Sequence, residues 1–279
     1  MSATQIAQNL AYINWTVLAG LALGAYAAVV LLRRRTAATR GYLAFVAACA
    51  IGFGVLAWLS DRALPGSLGS SPVVPDPTYD LPRRVSLAIF SATALLALVV
   101  RRRSAVWGGR VEVVALAAGA ATVVFGALGW GDGPLGAAAL LVQLAVLFAA
   151  TGGVFAAMIL GHWYLVTPRL PEAPLILLSK GLLAVVAIQV VLFVAWVGLG
   201  AGPASGGPFS ALTGPWALFV WLRLIVGLVF PLVVSWLAVQ TARTRSMESA
   251  TGLLYINVGT IAAGTILAAG LYFGAGLLV

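Results

Sequence analysis

Eight long apolar segments constrain what this chain can fold into more than any other feature of the sequence. A bilayer hydrocarbon core is about 30 Å thick, so a spanning helix needs about 20 predominantly apolar residues. The segments that approach or exceed this length are residues 11–32, 41–60, 85–100, 111–130, 136–165, 175–200, 216–240 and 249–277. The sequence therefore predicts an all-α integral membrane protein with eight transmembrane helices, which form a single polytopic domain over residues 1–279.

The composition agrees with a membrane protein. Hydrophobic residues make up 62% of the chain and charged residues only 8%, whereas a soluble domain carries about 25% charged residues. The net charge of +9 is concentrated in short arginine clusters at the ends of apolar segments. We therefore expect these clusters to orient the helices in the membrane, and we expect no binding of nucleic acid.

The basic residues are divided unequally between alternate loops, which predicts the orientation. Twelve lie in or beside one set of loops: Arg33, Arg34, Arg35, Arg40, Arg101, Arg102, Arg103, Arg110, Arg169, Lys180, Arg243 and Arg245. The other loops hold Arg62, Arg83 and Arg84. The positive-inside rule then predicts a plasma (inner) membrane protein with both termini external. Residues 61–84 are predicted to form an external, proline-rich loop.

Residues 11–61 and 79–132 share a pattern that suggests a duplicated helical hairpin. The first contains "LLRRRTAATRG" and the second "VVRRRSAVWGGR", and the two end at Asp61 and Asp132. The halves have the same orientation, so this would be a parallel repeat. The alternative is that arginines and interfacial tryptophans recur in any helical membrane protein.

The only histidine, His162, lies in "MILGHWYLVTPRLPEAP", where an apolar segment ends. One interpretation is an interfacial belt with Trp163 and Tyr164, since aromatic side chains concentrate at headgroup depth. The other is a ligand-binding site for a quinone headgroup, because histidine donates and accepts protons near neutral pH. Arg169, in the following loop, is included in the same candidate site.

Arg223 lies inside the seventh apolar segment. An arginine at the bilayer centre costs roughly 2.5 to 3.5 kcal/mol. It is expected either to snorkel to the headgroups or to act as an internal cation. As an internal cation it would bind an anion, pair with Asp132 or Asp61, or donate to a carbonyl freed by Pro231. Gln189, in the sixth segment, is a further candidate ligand-binding residue.

Two glutamates near predicted helix starts have an expected structural role. Glu112 and Glu248 each lie where a negative charge complements the helix dipole. Ser246 is expected to cap the last helix.

Several chemistries are excluded for this chain acting alone. One histidine and one cysteine cannot supply a bis-histidine haem, a thiolate zinc site or an iron–sulfur cluster. The chain has no HExxH, GxSxG or phosphate-loop motif. We therefore predict no catalytic residue, no metal site and no cofactor held by this chain alone. Quinone and lipid are the candidate ligands.

These features together predict a non-catalytic, or quinone- or lipid-contacting, integral membrane subunit of a larger electron-transfer or energy-converting assembly. Its expected partners are membrane lipids and other membrane or peripheral subunits. The alternative is a stand-alone transporter or channel for a small anionic or neutral solute, with Arg223 in its path.

Overall fold

The computed structural model describes residues 3–69, 71–167, 170–204 and 206–279, and all regular secondary structure within them is helical. The long helices are α1 (Ala3–Arg35), α2 (Arg40–Arg62), α3 (Asp80–Val100), α4 (Ala105–Trp130), α5 (Gly133–Val166), α6 (Ala173–Leu199), α7 (Ala217–Arg243) and α8 (Met247–Ala275). All eight are long and apolar enough to cross a membrane. The predicted all-helical fold and the predicted number of long apolar helices are confirmed.

Several helices extend beyond the predicted apolar segments. α3 begins at Asp80, and α4 begins at Ala105, where Ser104 caps it by accepting a hydrogen bond from the Trp107 amide. Apolar length marks where a helix can cross a membrane, whereas the hydrogen-bonded helix continues until a capping residue ends it. The loop predicted over residues 61–84 is therefore shorter, because both of its ends belong to helices.

Contacts between loops define two ends of the bundle. Glu112 in α4 contacts Arg33 and Arg101, and Glu172 pairs with Arg245 at 2.5 Å. Trp163 near the end of α5 packs beside Gly41 at the start of α2 and joins these two groups. Together, the contacts place the α1–α2, α3–α4, α5–α6 and α7–α8 loops at one end, which we call the basic end. At the opposite end, the α2–α3 loop is held by backbone and side-chain hydrogen bonds to the ends of α1, α4 and α8.

Helices α1 and α5 form the centre of the bundle. In their most apolar stretches 67% and 61% of residues are buried, against 28–39% in the other six helices. The two helices meet at Gly24 and Gly152, where a Cβ on Gly152 would lie 2.1 Å from the Ala25 amide nitrogen. Only glycine permits this backbone contact, which leaves no open space between the central helices at this level.

The candidate repeat corresponds to two helical hairpins, α1–α2 and α3–α4, which contact each other. Their matching residues have different surroundings: Asp61 is completely buried, whereas Asp132 is exposed before α5. The duplication stays a prediction.

Candidate functional site

His162 lies one turn before the end of α5, on the exposed surface of the basic end. Its Nδ1 atom is 3.4 Å from the hydroxyl oxygen of Tyr255 in α8, which is also exposed. At this distance the contact is at the long limit of a hydrogen bond. The pair presents one imidazole and one phenol to whatever surrounds the bundle.

The neighbours of His162 do not share its surface. Trp163 packs beside Gly41 and the ring of Tyr42 in α2. Tyr164 is buried and donates a hydrogen bond to the carbonyl of Pro171. Successive helical residues are rotated by about 100°, so these three side chains point in three directions and do not share one surface.

Arg169 lies outside the described residues, so its relation to His162 is not described. A cavity of about 430 Å³ at this end is lined by Tyr164, Arg245 and Glu248, but not by His162. Ser246 precedes α8, where it was expected to cap the helix. Its hydroxyl accepts no hydrogen bond from a backbone amide of the helix and donates to the Ser249 hydroxyl instead.

Arg223 and Gln189 are brought together inside the bundle. Arg223 is only 1% exposed, so it faces protein and does not snorkel. Its Nη2 atom donates to Oε1 of Gln189 in α6 at 2.7 Å, and its Nη1 atom donates to the carbonyl of Gly227 at 3.1 Å. The two candidate residues identified separately in the sequence therefore belong to one site.

The backbone of α7 supplies the second acceptor. Pro231 has no N–H to offer the carbonyl four residues earlier, which is that of Gly227. The helix adjusts by forming a π-helical segment over Ile225–Val229, and such segments often occur at functional sites. The expected hydrogen bond from Arg223 to a carbonyl freed by Pro231 is thus observed.

Two glycines make room for the guanidinium. A Cβ on Gly264 in α8 would lie 2.7 Å from the Cα of Gly227 and 2.8 Å from Nη1 of Arg223. Any larger residue would push α8 away from α7 or displace the arginine. The glycine pair therefore fixes how closely α7, α8 and the guanidinium approach.

The charge of Arg223 has no carboxylate partner among the described residues. None of the seven ion pairs found there includes it, and the expected partners Asp61 and Asp132 lie elsewhere. Its Nε atom is buried and makes no hydrogen bond in the described part of the chain. The site is therefore a buried guanidinium whose described partners are neutral acceptors.

A second buried arginine, at the opposite end, was missed by the sequence analysis. Arg83 in α3 is 1% exposed and binds Asp61 through two hydrogen bonds, from Nε at 2.7 Å and from Nη2 at 3.1 Å. Nη2 also donates to Asp80 at 2.9 Å, and Arg84 donates to Asp61 at 2.8 Å. From the sequence, Arg83 and Arg84 were expected in a loop, and Asp61 was considered as a partner of Arg223.

Aromatic rings complete this cluster. The guanidinium carbon of Arg83 lies 4.6 Å from the ring centroid of Trp130 and 5.8 Å from that of Trp15. Such cation–π contacts are favourable for a desolvated cation. With two carboxylates and two indoles around it, Arg83 has the environment of a structural ion pair.

The basic end contains a third arginine group. Arg33 and Arg101 contact the two carboxylate oxygens of Glu112, which is 1% exposed. Because α4 begins at Ala105, Glu112 lies in its third turn, so the expected role at the helix terminus is wrong. Glu112 instead joins the α1–α2 and α3–α4 hairpins.

Within the described ranges, no group of three or more histidine, cysteine, aspartate and glutamate side chains could hold a metal ion. The chain matches no protein-family model, no curated protein and no solved structure. Any functional assignment therefore rests on the geometry of these side chains.

Proposed function

We propose that this protein is a non-catalytic integral membrane subunit of a larger electron-transfer or energy-converting assembly, in contact with lipid or quinone. The bundle spans the plasma (inner) membrane eight times, with its basic end on the cytoplasmic side and both termini outside. The observation that carries the proposal is the backbone contact between Gly24 and Gly152. It brings the two central helices into direct backbone contact, which disfavours a channel between them.

The outer helices support a role in an assembly. Only 28% of the most apolar stretch of α6 and 33% of that of α7 are buried. Their remaining apolar surface is available for lipid or for the helices of another subunit. The quinone contact rests on His162 and Tyr255, which can donate and accept hydrogen bonds at headgroup depth.

The assembly is tested by purifying the tagged full-length protein in mild detergent from the membranes of the organism that encodes it. We expect the chain to migrate on a native gel with redox subunits at fixed stoichiometry, and the same subunits to be lost together on delipidation. A monodisperse chain that carries no other subunit would contradict the proposal.

The quinone contact is tested with a ubiquinone analogue bound to the protein in nanodiscs. His162→Phe is expected to weaken binding by about tenfold, the loss of one good hydrogen bond. Trp107→Phe is the matched control, because Trp107 is an exposed aromatic residue at the same end. Equal binding by all three proteins would leave His162 as an interfacial anchor.

Transport of a small anion is a second candidate, favoured by the uncompensated charge of Arg223. In liposomes, the wild-type protein would carry a small anion, and Arg223→Met would abolish the flux while Arg110→Met would not. Anion flux by the purified chain would contradict its assignment as a non-catalytic subunit and would favour an anion transporter. Absence of flux for a panel of inorganic and organic anions would remove this candidate.

A further inference from the structure

A large cavity at the basic end brings together arginines from two loops. Its volume is about 710 Å³, and it lies between the α1–α2 and α3–α4 connections. The arginines that line it are Arg33, Arg40, Arg101, Arg102 and Arg103. In the sequence these arginines indicate only how the helices are oriented in the membrane, and that orientation does not require them to converge on one cavity.

The cavity carries a large positive excess. Glu112 is the one carboxylate that contacts its lining arginines within the described residues, and it is shared by Arg33 and Arg101. Five arginines and one glutamate leave a net charge of 5 − 1 = +4. The other three arginines take part in none of the ion pairs found in the described ranges.

Two helix N-termini add to the positive potential. α2 begins at Arg40 and α4 begins at Ala105, and both of these first residues line the cavity. The N-terminus of a helix carries a partial positive charge of roughly half an elementary charge. Because the arginine side chains and both helix dipoles act on the same space, an anion there is favoured from several directions.

Apart from Thr36, the rest of the lining is apolar. Leu43 and Ala44 from α2 and Leu98 from α3 form the side of the cavity that faces along the helices, away from the loops. A soluble anion would gain nothing from these side chains. A lipid, however, has a charged headgroup joined to apolar chains. Such a molecule fits a cavity that has arginines on its loop side and apolar side chains on its helix side.

We infer that this cavity binds the phosphate of an anionic phospholipid headgroup, with the glycerol and the first acyl carbons against Leu43, Ala44 and Leu98. Arg40, Arg102 and Arg103 contact the phosphate, while Arg33 and Arg101 stay fixed by Glu112. This inference does not depend on the assembly or transport proposals, because it concerns neither partner subunits nor the Arg223 site.

The test measures binding of phosphatidylglycerol to the delipidated full-length protein in detergent, by native mass spectrometry, with phosphatidylcholine as the neutral comparison. Arg40→Gln/Arg102→Gln/Arg103→Gln is compared with Arg34→Gln/Arg35→Gln/Arg110→Gln. The second triple removes the same charge from the same end, but its residues do not line the cavity. Each arginine near an anionic headgroup contributes about a factor of five, so the first triple should weaken binding by about a hundredfold and the second by no more than about fivefold.

A charge-neutral variant tests the cavity itself. Ala44→Trp fills the space next to the arginines without removing any of them, and it should weaken phosphatidylglycerol binding by about tenfold or more. If a glutamine variant does not fold, Arg40→Lys/Arg102→Lys/Arg103→Lys keeps the charge and should retain binding to within about tenfold.

Three results would overturn the inference. Equal losses in the two glutamine triples would show that diffuse surface charge binds the lipid. Equal binding of phosphatidylcholine would show that the headgroup charge is not recognised. Saturable binding of inorganic pyrophosphate, without lipid and as tight as that of phosphatidylglycerol, would assign the cavity to a soluble phosphate compound.

Discussion

Arg83 and Arg223 are equally buried, at 1% exposure each, but the groups that surround their guanidinium charges differ. Arg83 has two carboxylate partners and lies against two indole rings. Arg223 has one amide oxygen and one backbone carbonyl. The comparison shows that two arginines with the same burial can differ in whether a carboxylate neutralises their charge, and this difference predicts different effects on stability when each is replaced.

The physical reason is the cost of desolvation. Removing one partner of a buried ion pair leaves an isolated charge and costs about 3 to 5 kcal/mol. A buried cation that already lacks a counter-charge carries much of this cost in the native protein. Replacing Arg83 should therefore lower the stability of the protein substantially, whereas replacing Arg223 should leave its stability nearly unchanged.

The largest expected effect follows from removing the charge of Asp61. Asp61→Asn weakens the contacts of both Arg83 and Arg84, so we expect a loss of about 3 kcal/mol or more in the free energy of unfolding. Asp132→Asn is the matched control at the same end, since Asp132 is exposed, and it should change stability by less than about 0.5 kcal/mol. Chemical unfolding in detergent measures the stability of both variants. Equal effects would show that the contacts of Asp61 with Arg83 and Arg84 do not stabilise the bundle.

A smaller loss is expected at the Arg223 site when an acceptor is removed. Gln189→Leu leaves Nη2 of Arg223 without its 2.7 Å acceptor, which should cost about 2 to 3 kcal/mol, as for hydrogen bonds to charged groups. In an Arg223→Met background the same change should cost less than about 1 kcal/mol. A double-mutant cycle measures the difference, and additive effects would show that the two side chains are not coupled.

The packing around Arg223 gives a third, still smaller effect. Gly264→Ala places a methyl group 2.7 Å from the Cα of Gly227, and such overpacking typically costs about 1 to 3 kcal/mol. Gly259 lies in the same helix with nothing within 4 Å of its Cβ position. Gly259→Ala should instead be neutral or stabilise the helix by up to about 1 kcal/mol. Thermal unfolding of the two variants should move in opposite directions, and a loss of stability confined to Gly259→Ala would refute this packing.

The sequence predicted the Arg223 site better than the Arg83 cluster, for a physical reason. An arginine in the middle of an apolar segment is costly wherever it points, so its importance is visible without a structure. Asp61 and Arg83 lie at or beyond the ends of the predicted apolar segments. Their burial depends on where the helices actually begin and end. The spacing of Asp80, Arg83 and Arg84 is that of neighbours on one helix face, which was the available signal that α3 starts at Asp80.

The candidate site at His162 shows the opposite limitation. Three adjacent residues were grouped because they are neighbours in sequence, although a helix turns adjacent side chains away from one another. The helical period alone could have separated Trp163 and Tyr164 from His162. Tyr255 could not have been found in this way, because its contact depends on how α8 packs against α5.

The most direct test of the contrast between the two arginines is the thermal midpoint of unfolding of Arg83→Met and Arg223→Met in the same detergent. We predict that Arg83→Met lowers the midpoint by about 6 °C or more, which corresponds to about 3 kcal/mol at the usual 2 to 4 °C per kcal/mol. Arg223→Met should leave the midpoint unchanged to within about 3 °C, or raise it. Equal losses of about 6 °C or more in both variants would contradict the account, because Arg223 would then hold the bundle together as Arg83 does.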